Sequence, residues 1–141
     1  MPALDAVRAT EVEASFRHSA GRLGSHFLKA IRDEARLLGW RTGDPPRVIV
    51  PPKDLGGTGE WVALGPGAVL LAYAPPEWRD GESAAGTCLA LVRPDGADTG
   101  LLAALKPAYP AGALAVGTVL RVRFSEERRG AITDLWFEVA P

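Results

Sequence analysis

Trp40-Arg-Thr-Gly-Asp-Pro-Pro-Arg-Val-Ile-Val-Pro-Pro-Lys-Asp-Leu-Gly-Gly-Thr-Gly-Glu-Trp61 is the stretch on which the fold turns. Ahead of it, apolar residues recur at helical spacing. From Arg41 onward they alternate, with Gly and Pro at intervals that suit short strands joined by turns. Gly56-Gly-Thr-Gly59 reads as a tight turn, and Pro51-Pro52 stiffens the exit from Val48-Ile-Val50. The same glycines could cradle an anion on successive N–H groups. They lack the Lys-Ser/Thr of a phosphate loop and no evident helix follows, so the turn reading is preferred.

Working outward, the residues before Trp40 predict helix. Ser25 can cap an N-terminus, after which Phe27, Leu28, Ile31, Ala35 and Leu38 share one face while Lys29, Arg32, Asp33 and Arg36 share the other. Gly39 is placed to end that helix. Thr10 and Glu13 have capping-box spacing, with Val12 and Phe16 behind them, and Gly21 and Gly24 separate this region from the second helix. After Trp40, strands are expected at Arg47 to Val50, Glu60 to Leu64, Ala68 to Ala74, Thr87 to Arg93, Leu101 to Leu105, Thr118 to Phe124 and Ile132 to Val139. In Val119-Leu-Arg-Val-Arg-Phe124, Leu120, Val122 and Phe124 point one way and Arg121 and Arg123 the other, as in a sheet with one wet face. Five strands after Trp61 match a small OB-fold barrel.

The Trp40–Trp61 stretch resembles the zinc-ribbon-to-OB-fold junction of the acyl-CoA-associated OB-fold family, long catalogued as a domain of unknown function. There a Cys-x-x-Cys pair precedes an Arg-Val-aromatic-x-Pro-Pro segment, and a second pair precedes a Trp that opens the barrel. The helix Phe27–Leu38, the Gly65-Pro-Gly-Ala-Val-Leu-Leu-Ala-Tyr73 segment and Leu114-Ala-Val-Gly-Thr-Val-Leu-Arg-Val-Arg-Phe124 are similar to further parts of that family, in the same order. The resemblance implies a mainly β fold with N-terminal helices: a helical segment 1–40, a degenerate, metal-free rubredoxin-like zinc ribbon at 41–61, and an OB-fold five-stranded barrel at 62–141. The four cysteine positions fall on Thr42, Pro45, Gly56 and Gly59, and no other Cys or His lies in 41–61, so no structural metal is expected.

Composition bounds the function. At 141 residues the chain suits about one domain, and 47% hydrophobic residues with 16 Gly and 12 Pro suit a turn-rich globular protein. Sixteen basic residues against 17 acidic ones give a net charge of −1, which supplies no electrostatic footprint for a nucleic-acid backbone. No stretch approaches the roughly 20 apolar residues of a membrane span, and the start has no secretory core. A cytoplasmic protein is expected. The single cysteine, Cys88, lies in Cys88-Leu-Ala-Leu-Val92 and reads as a small buried hydrophobe rather than a nucleophile.

No catalytic constellation is legible. There is no Gly-x-Ser-x-Gly elbow, and His18 and His26, eight residues apart, read as ordinary surface or interface residues. The basic positions Arg47, Lys53, Arg93, Lys106, Arg121 and Arg123, with Trp61, Tyr73 and Trp78, could equally form a solvated sheet face with core aromatics or a surface that takes an adenine ring and phosphates. Of these, Arg47, Lys53, Trp61, Tyr73, Arg121 and Arg123 are the candidate ligand-binding set. Phe27, Ile31 and Trp78 are the candidate partner-binding residues, Trp78 either exposed on its Pro75-Pro76 loop or folded back over the barrel.

The resemblance implies a non-catalytic accessory subunit. It would bind a thiolase-superfamily enzyme, or an acyl-CoA hydratase or aldolase subunit, in a hetero-oligomer of lipid metabolism, and help hold or channel acyl-CoA, with no cofactor of its own. The N-terminal helices would be docking elements, since a small barrel does not need forty helical residues to close its core. A nucleic-acid-binding OB module is the alternative, disfavoured by the charge. An enzyme acting alone on CoA thioesters ranks last for want of a nucleophile and base.

Overall fold

A computed structural model describes residues 21–75 and 86–141. The expectations for Thr10, Val12, Glu13, Phe16, His18 and Trp78 lie outside the described residues.

Helix α1, Gly21–Glu34, buries Leu23, Phe27, Ala30 and Ile31. That i, i+4, i+7, i+8 spacing is one face of an α-helix. Ser25 and Gly24 sit inside the helix rather than at its start, because the apolar stripe already begins at Leu23. The C-terminus also differs from the sequence expectation. The helix stops short of Leu38: Ala35 takes a left-handed φ of 51°, and the Ala35 and Arg36 N–H groups bond back to the Ile31 and Ala30 carbonyls, both at 3.2 Å. Leu37–Thr42 then forms strand β1. Four consecutive buried residues, Leu37 to Trp40, are satisfied better by a central strand covered on both faces than by one more helical turn.

Strands β2 (Arg47–Ile49) and β3 (Gly59–Leu64) flank β1 in a three-stranded antiparallel sheet ordered β2-β1-β3. Trp40 faces Ile49 on one side and Trp61 on the other. Gly39 is therefore not a helix stop. A Cβ there would lie 2.6 Å from Val48 Cγ1 and 3.1 Å from Leu64 Cδ1, so the glycine lets its neighbours close over the central strand. The sheet thus begins at Leu37 rather than Arg41, and β3 belongs to it rather than to the barrel.

The remaining strands, β4 (Gly67–Ala74), β5 (Cys88–Pro94), β6 (Leu101–Leu105), β7 (Val119–Phe124) and β8 (Leu135–Val139), close into a barrel ordered β4-β5-β6-β8-β7. All neighbours are antiparallel except β6 and β8, where Ala104 and Leu105 pair in parallel with Trp136 and Phe137. β7 closes the ring on β4 through Arg121 and Gly67. This is a five-stranded Greek-key barrel of OB type, as expected. Its interior is filled by Leu70, Val92, Leu105, Leu120, Leu135 and Phe137, each at most 1% exposed. The last strand starts at Leu135 instead of Ile132: residues Ile132–Asp134 form a 3-10 turn, held by Asp134 Oδ2, which accepts the N–H groups of Arg129, Gly130 and Ala131 at 2.8–3.0 Å.

Sheet and barrel share one core with α1, in which Phe27, Ile31, Leu37 and Val50 join the barrel residues. The edge strand β2 is tied to the β5–β6 loop. Val48 N–H donates to Asp98 Oδ2 at 2.8 Å and Val50 N–H to Thr99 Oγ1 at 2.9 Å, so its outer backbone groups are not left as a free sheet edge.

Candidate functional site

The four positions where the resembling family carries cysteines come from two turns of the small sheet. Thr42 ends β1, Pro45 lies in the β1–β2 turn, Gly56 precedes β3 and Gly59 begins it. Thr42 is buried, and its hydroxyl donates to the Thr58 carbonyl at 3.0 Å. Pro45 and Gly56 have no side-chain donor atom. At Gly59 a Cβ would meet the Trp40 ring and the Arg41 carbonyl, each at 2.6 Å, so a side chain has no room there. These residues do not fit a tetrahedral zinc ion, and among the described residues no group of three or more His, Cys, Asp or Glu could hold a metal ion. Aromatic packing occupies the neighbourhood instead. Trp61 lies against Trp40 at 4.9 Å between centroids and stacks on His26 at 4.5 Å and 23°. His26, read from sequence as an ordinary surface or interface residue, is exposed and its ring stacks on Trp61 between α1 and β3.

The candidate ligand-binding set is dispersed. Arg47 lies at the exposed start of β2, beside a cavity of about 240 Å³ between the two turns. Lys53 is exposed on the linker and Trp61 is in the aromatic packing just described. Tyr73 sits near the far end of β4, where its hydroxyl donates to the Pro110 carbonyl at 2.6 Å and accepts the Leu114 N–H at 3.1 Å, pinning the β6–β7 loop. Arg121 pairs across from Gly67. Six residues of strand, roughly 20 Å, therefore separate the Tyr73 position from that of Arg121. Arg121 and Arg123 share one carboxylate, Glu138, at 2.8 and 3.4 Å. The hydrogen bond from Arg121, then the charges of Arg123 and Arg121, outweigh partial burial and hold Glu138 below its ordinary range. The structure brings Arg121 and Arg123 together on the single carboxylate of Glu138; it does not join them to Arg47, Lys53, Trp61 or Tyr73.

The partner-binding expectation is corrected at two residues. Phe27 and Ile31 are 3% and 0% exposed. The apolar face of α1 is spent on the protein's own core, so the helix is not a free docking element.

Sequence reasoning missed a different surface. Along β5 and β6 every second side chain points into the barrel, and the ones between, Leu89, Leu91 and Arg93 on β5 and Leu102 and Ala104 on β6, point out. Leu89 faces Ala104 in register, and Leu91 faces Leu102. An outward face is ordinarily polar on a sheet with one wet side; here Leu102 stands 59% exposed and Leu89 36%. Beside this face α1 and Pro51-Pro52 wall off a cavity of about 570 Å³. A second cavity, of about 350 Å³, adjoins it, the two sharing Leu102 and Ile132. Gly100 opens the floor: a Cβ there would lie 3.0 Å from Leu91 Cδ1 and 3.3 Å from Leu71 Cδ1. The signal was present in the sequence, since Cys88–Val92 and Leu101–Leu105 are apolar at every position, the pattern of strands covered on both sides.

Solved structures with this fold include two that align over most of the chain. One is a protein of unknown function from the DUF35 family of Sulfolobus solfataricus, with a TM-score of 0.61 at 19% identity over 97% of this chain and 94% of that one. The other is a chain of the Ltp2-ChsH2(DUF35) aldolase, with a TM-score of 0.66 at 17% identity over 89% of this chain and all of that one. The similarity therefore spans helix, small sheet and barrel together, and at these identities it is one of fold. At the level of sequence, no family model and no curated protein matches.

The remaining chemistry is sparse. Cys88 is 2% exposed, its sulfur accepting the Tyr109 N–H at 3.3 Å, which suits a packed core residue better than a nucleophile. His26 is engaged in stacking. No helix among the described residues is long and apolar enough to cross a membrane.

Proposed function

We propose that this protein is a non-catalytic accessory subunit that docks on an enzyme of acyl-CoA metabolism, of the thiolase superfamily or a related hydratase or aldolase, and helps retain its acyl-CoA substrate. The observation that carries the reading is the outward apolar face of β5 and β6. An exposed leucine pair on a rigid barrel is costly unless something covers it, and nothing of the described chain does. The fold likeness to a chain of the Ltp2-ChsH2(DUF35) aldolase supports the choice of partner class. The engagement of Cys88 and His26 in packing supports a role without bond-making residues.

The same face disfavours the nucleic-acid alternative. Oligonucleotide-binding OB-folds use the second and third barrel strands, which here are β5 and β6. Apart from the exposed Arg93 they present leucine and alanine, with no stacking aromatic.

The test is co-expression with the thiolase-like or hydratase gene nearest to its own, followed by pull-down and size exclusion at several salt concentrations. The expected result is a complex that survives moderate salt. Separate elution under all salt conditions overturns the proposal.

A further inference from the structure

The two cavities on the β5–β6 face form one trough with a chemical polarity. Its wide part, between α1, Pro51-Pro52 and Leu91, is almost wholly apolar. The narrower part runs past Leu102 and Ile132 to Thr87, Thr133 and Lys106. Lys106 is the one basic or acidic side chain among the residues lining the two cavities. Its Nζ stands 4.6 Å over the Trp136 ring, and among the described residues no carboxylate forms an ion pair with it. Each volume falls within the range of about 300–1,000 Å³ typical of small-molecule sites.

We infer that this trough binds a single-chain anionic amphiphile, with the alkyl chain along Leu91, Leu102 and Ile132 and the anionic end at Lys106. Concavity and charge decide the occupant. A flat protein surface laid across β5 and β6 covers the exposed leucines but leaves both cavities empty, forfeiting contact on their linings, whereas an unbranched chain beneath it fills them. A chain alone would leave the Lys106 end unmatched; a carboxylate or phosphate there gains a charge-assisted hydrogen bond. The site goes beyond the accessory-subunit reading, because it requires the isolated protein to bind ligand without a partner.

Titration calorimetry on the full chain, with octanoate, decanoate, dodecanoate, dodecyl phosphate and dodecanol, each below its critical micelle concentration, tests this. Saturable one-to-one binding is expected, tightening by about fifteenfold for every two methylenes, as burial of roughly 0.8 kcal/mol per CH₂ requires. Whichever of dodecanoate and dodecyl phosphate binds more tightly identifies the head group. Leu102→Glu, at a position exposed enough not to disturb folding, is expected to weaken dodecanoate at least tenfold. Lys106→Met is expected to weaken the two anions severalfold and leave dodecanol unchanged.

Absence of saturable binding, no dependence on chain length, or unchanged affinity in Leu102→Glu overturns the inference. Loss of the partner reading alone, with chain binding intact, leaves this site standing.

Discussion

The Thr42 hydroxyl donates a 3.0 Å hydrogen bond to the Thr58 carbonyl, joining the end of β1 to the residue just before β3. It spans the two turns where the resembling family places its paired cysteines. A neutral hydrogen bond and the aromatic contacts of Trp40, Trp61 and His26 thus tie the small sheet together without a metal ligand.

Thr42→Val removes that bond while keeping shape, and leaves the Thr58 carbonyl short of a partner. The expected loss is about 1–2 kcal/mol, read as a lower urea midpoint at unchanged slope. A chelator is expected to leave the wild-type midpoint unmoved, because Thr42, Pro45, Gly56 and Gly59 offer no ligand set.

Gly59→Ala is expected to cost more. Its Cβ must displace the Trp40 ring or the Arg41 carbonyl from 2.6 Å, and overpacking of this kind typically costs about 1–3 kcal/mol. Denaturation with tryptophan fluorescence reports both the lost stability and any shift of Trp40 against Trp61.

Tyr73→Phe deletes the hydroxyl that bonds Pro110 and Leu114. The barrel core is untouched, so global stability should fall by only about 1 kcal/mol, while the β6–β7 loop loosens. Hydrogen exchange at the Leu114 amide should accelerate by an order of magnitude or more relative to the β5 and β6 amides.

Asp134 gives a pH dependence whose sign follows from its surroundings. The Ala131 N–H bond, followed by those of Gly130 and Arg129, lowers its pKa against the opposing effect of burial. A carboxyl depressed in the folded state stabilises fully above its unfolded value of about 3.9, and this contribution is lost as pH falls through the folded pKa. Asp134→Asn is expected to lower stability by about 1–2 kcal/mol at pH 7. It should also flatten the acid limb of a midpoint-against-pH curve below about pH 4.

The barrel was legible because alternation and turn residues are local. Val119 to Phe124 reads as a strand by itself, and its buried Leu120 and Val122 lie where the alternation puts them. Local reading failed at Leu37–Trp40, where a run of apolar residues suits a helix end and a covered strand equally. Pairing with Val48 and Leu64, far along the chain, decides between them. The surroundings of the expected ligand set are likewise not local: Arg121 and Arg123 are a cationic pair in the sequence, and only the fold sets Glu138 beside both.

By itself, then, the sequence determined the order of the barrel strands, the five-stranded barrel and the residue types at the two turns, since each depends on residue type and short-range spacing. Tertiary structure alone decided that Gly39 serves strand packing, that α1 spends its apolar face on the core, and that Leu89, Leu91, Leu102 and Ala104 come together on the outside. Those facts depend on register between strands, and register joins residues whose separation along the chain carries no local signal.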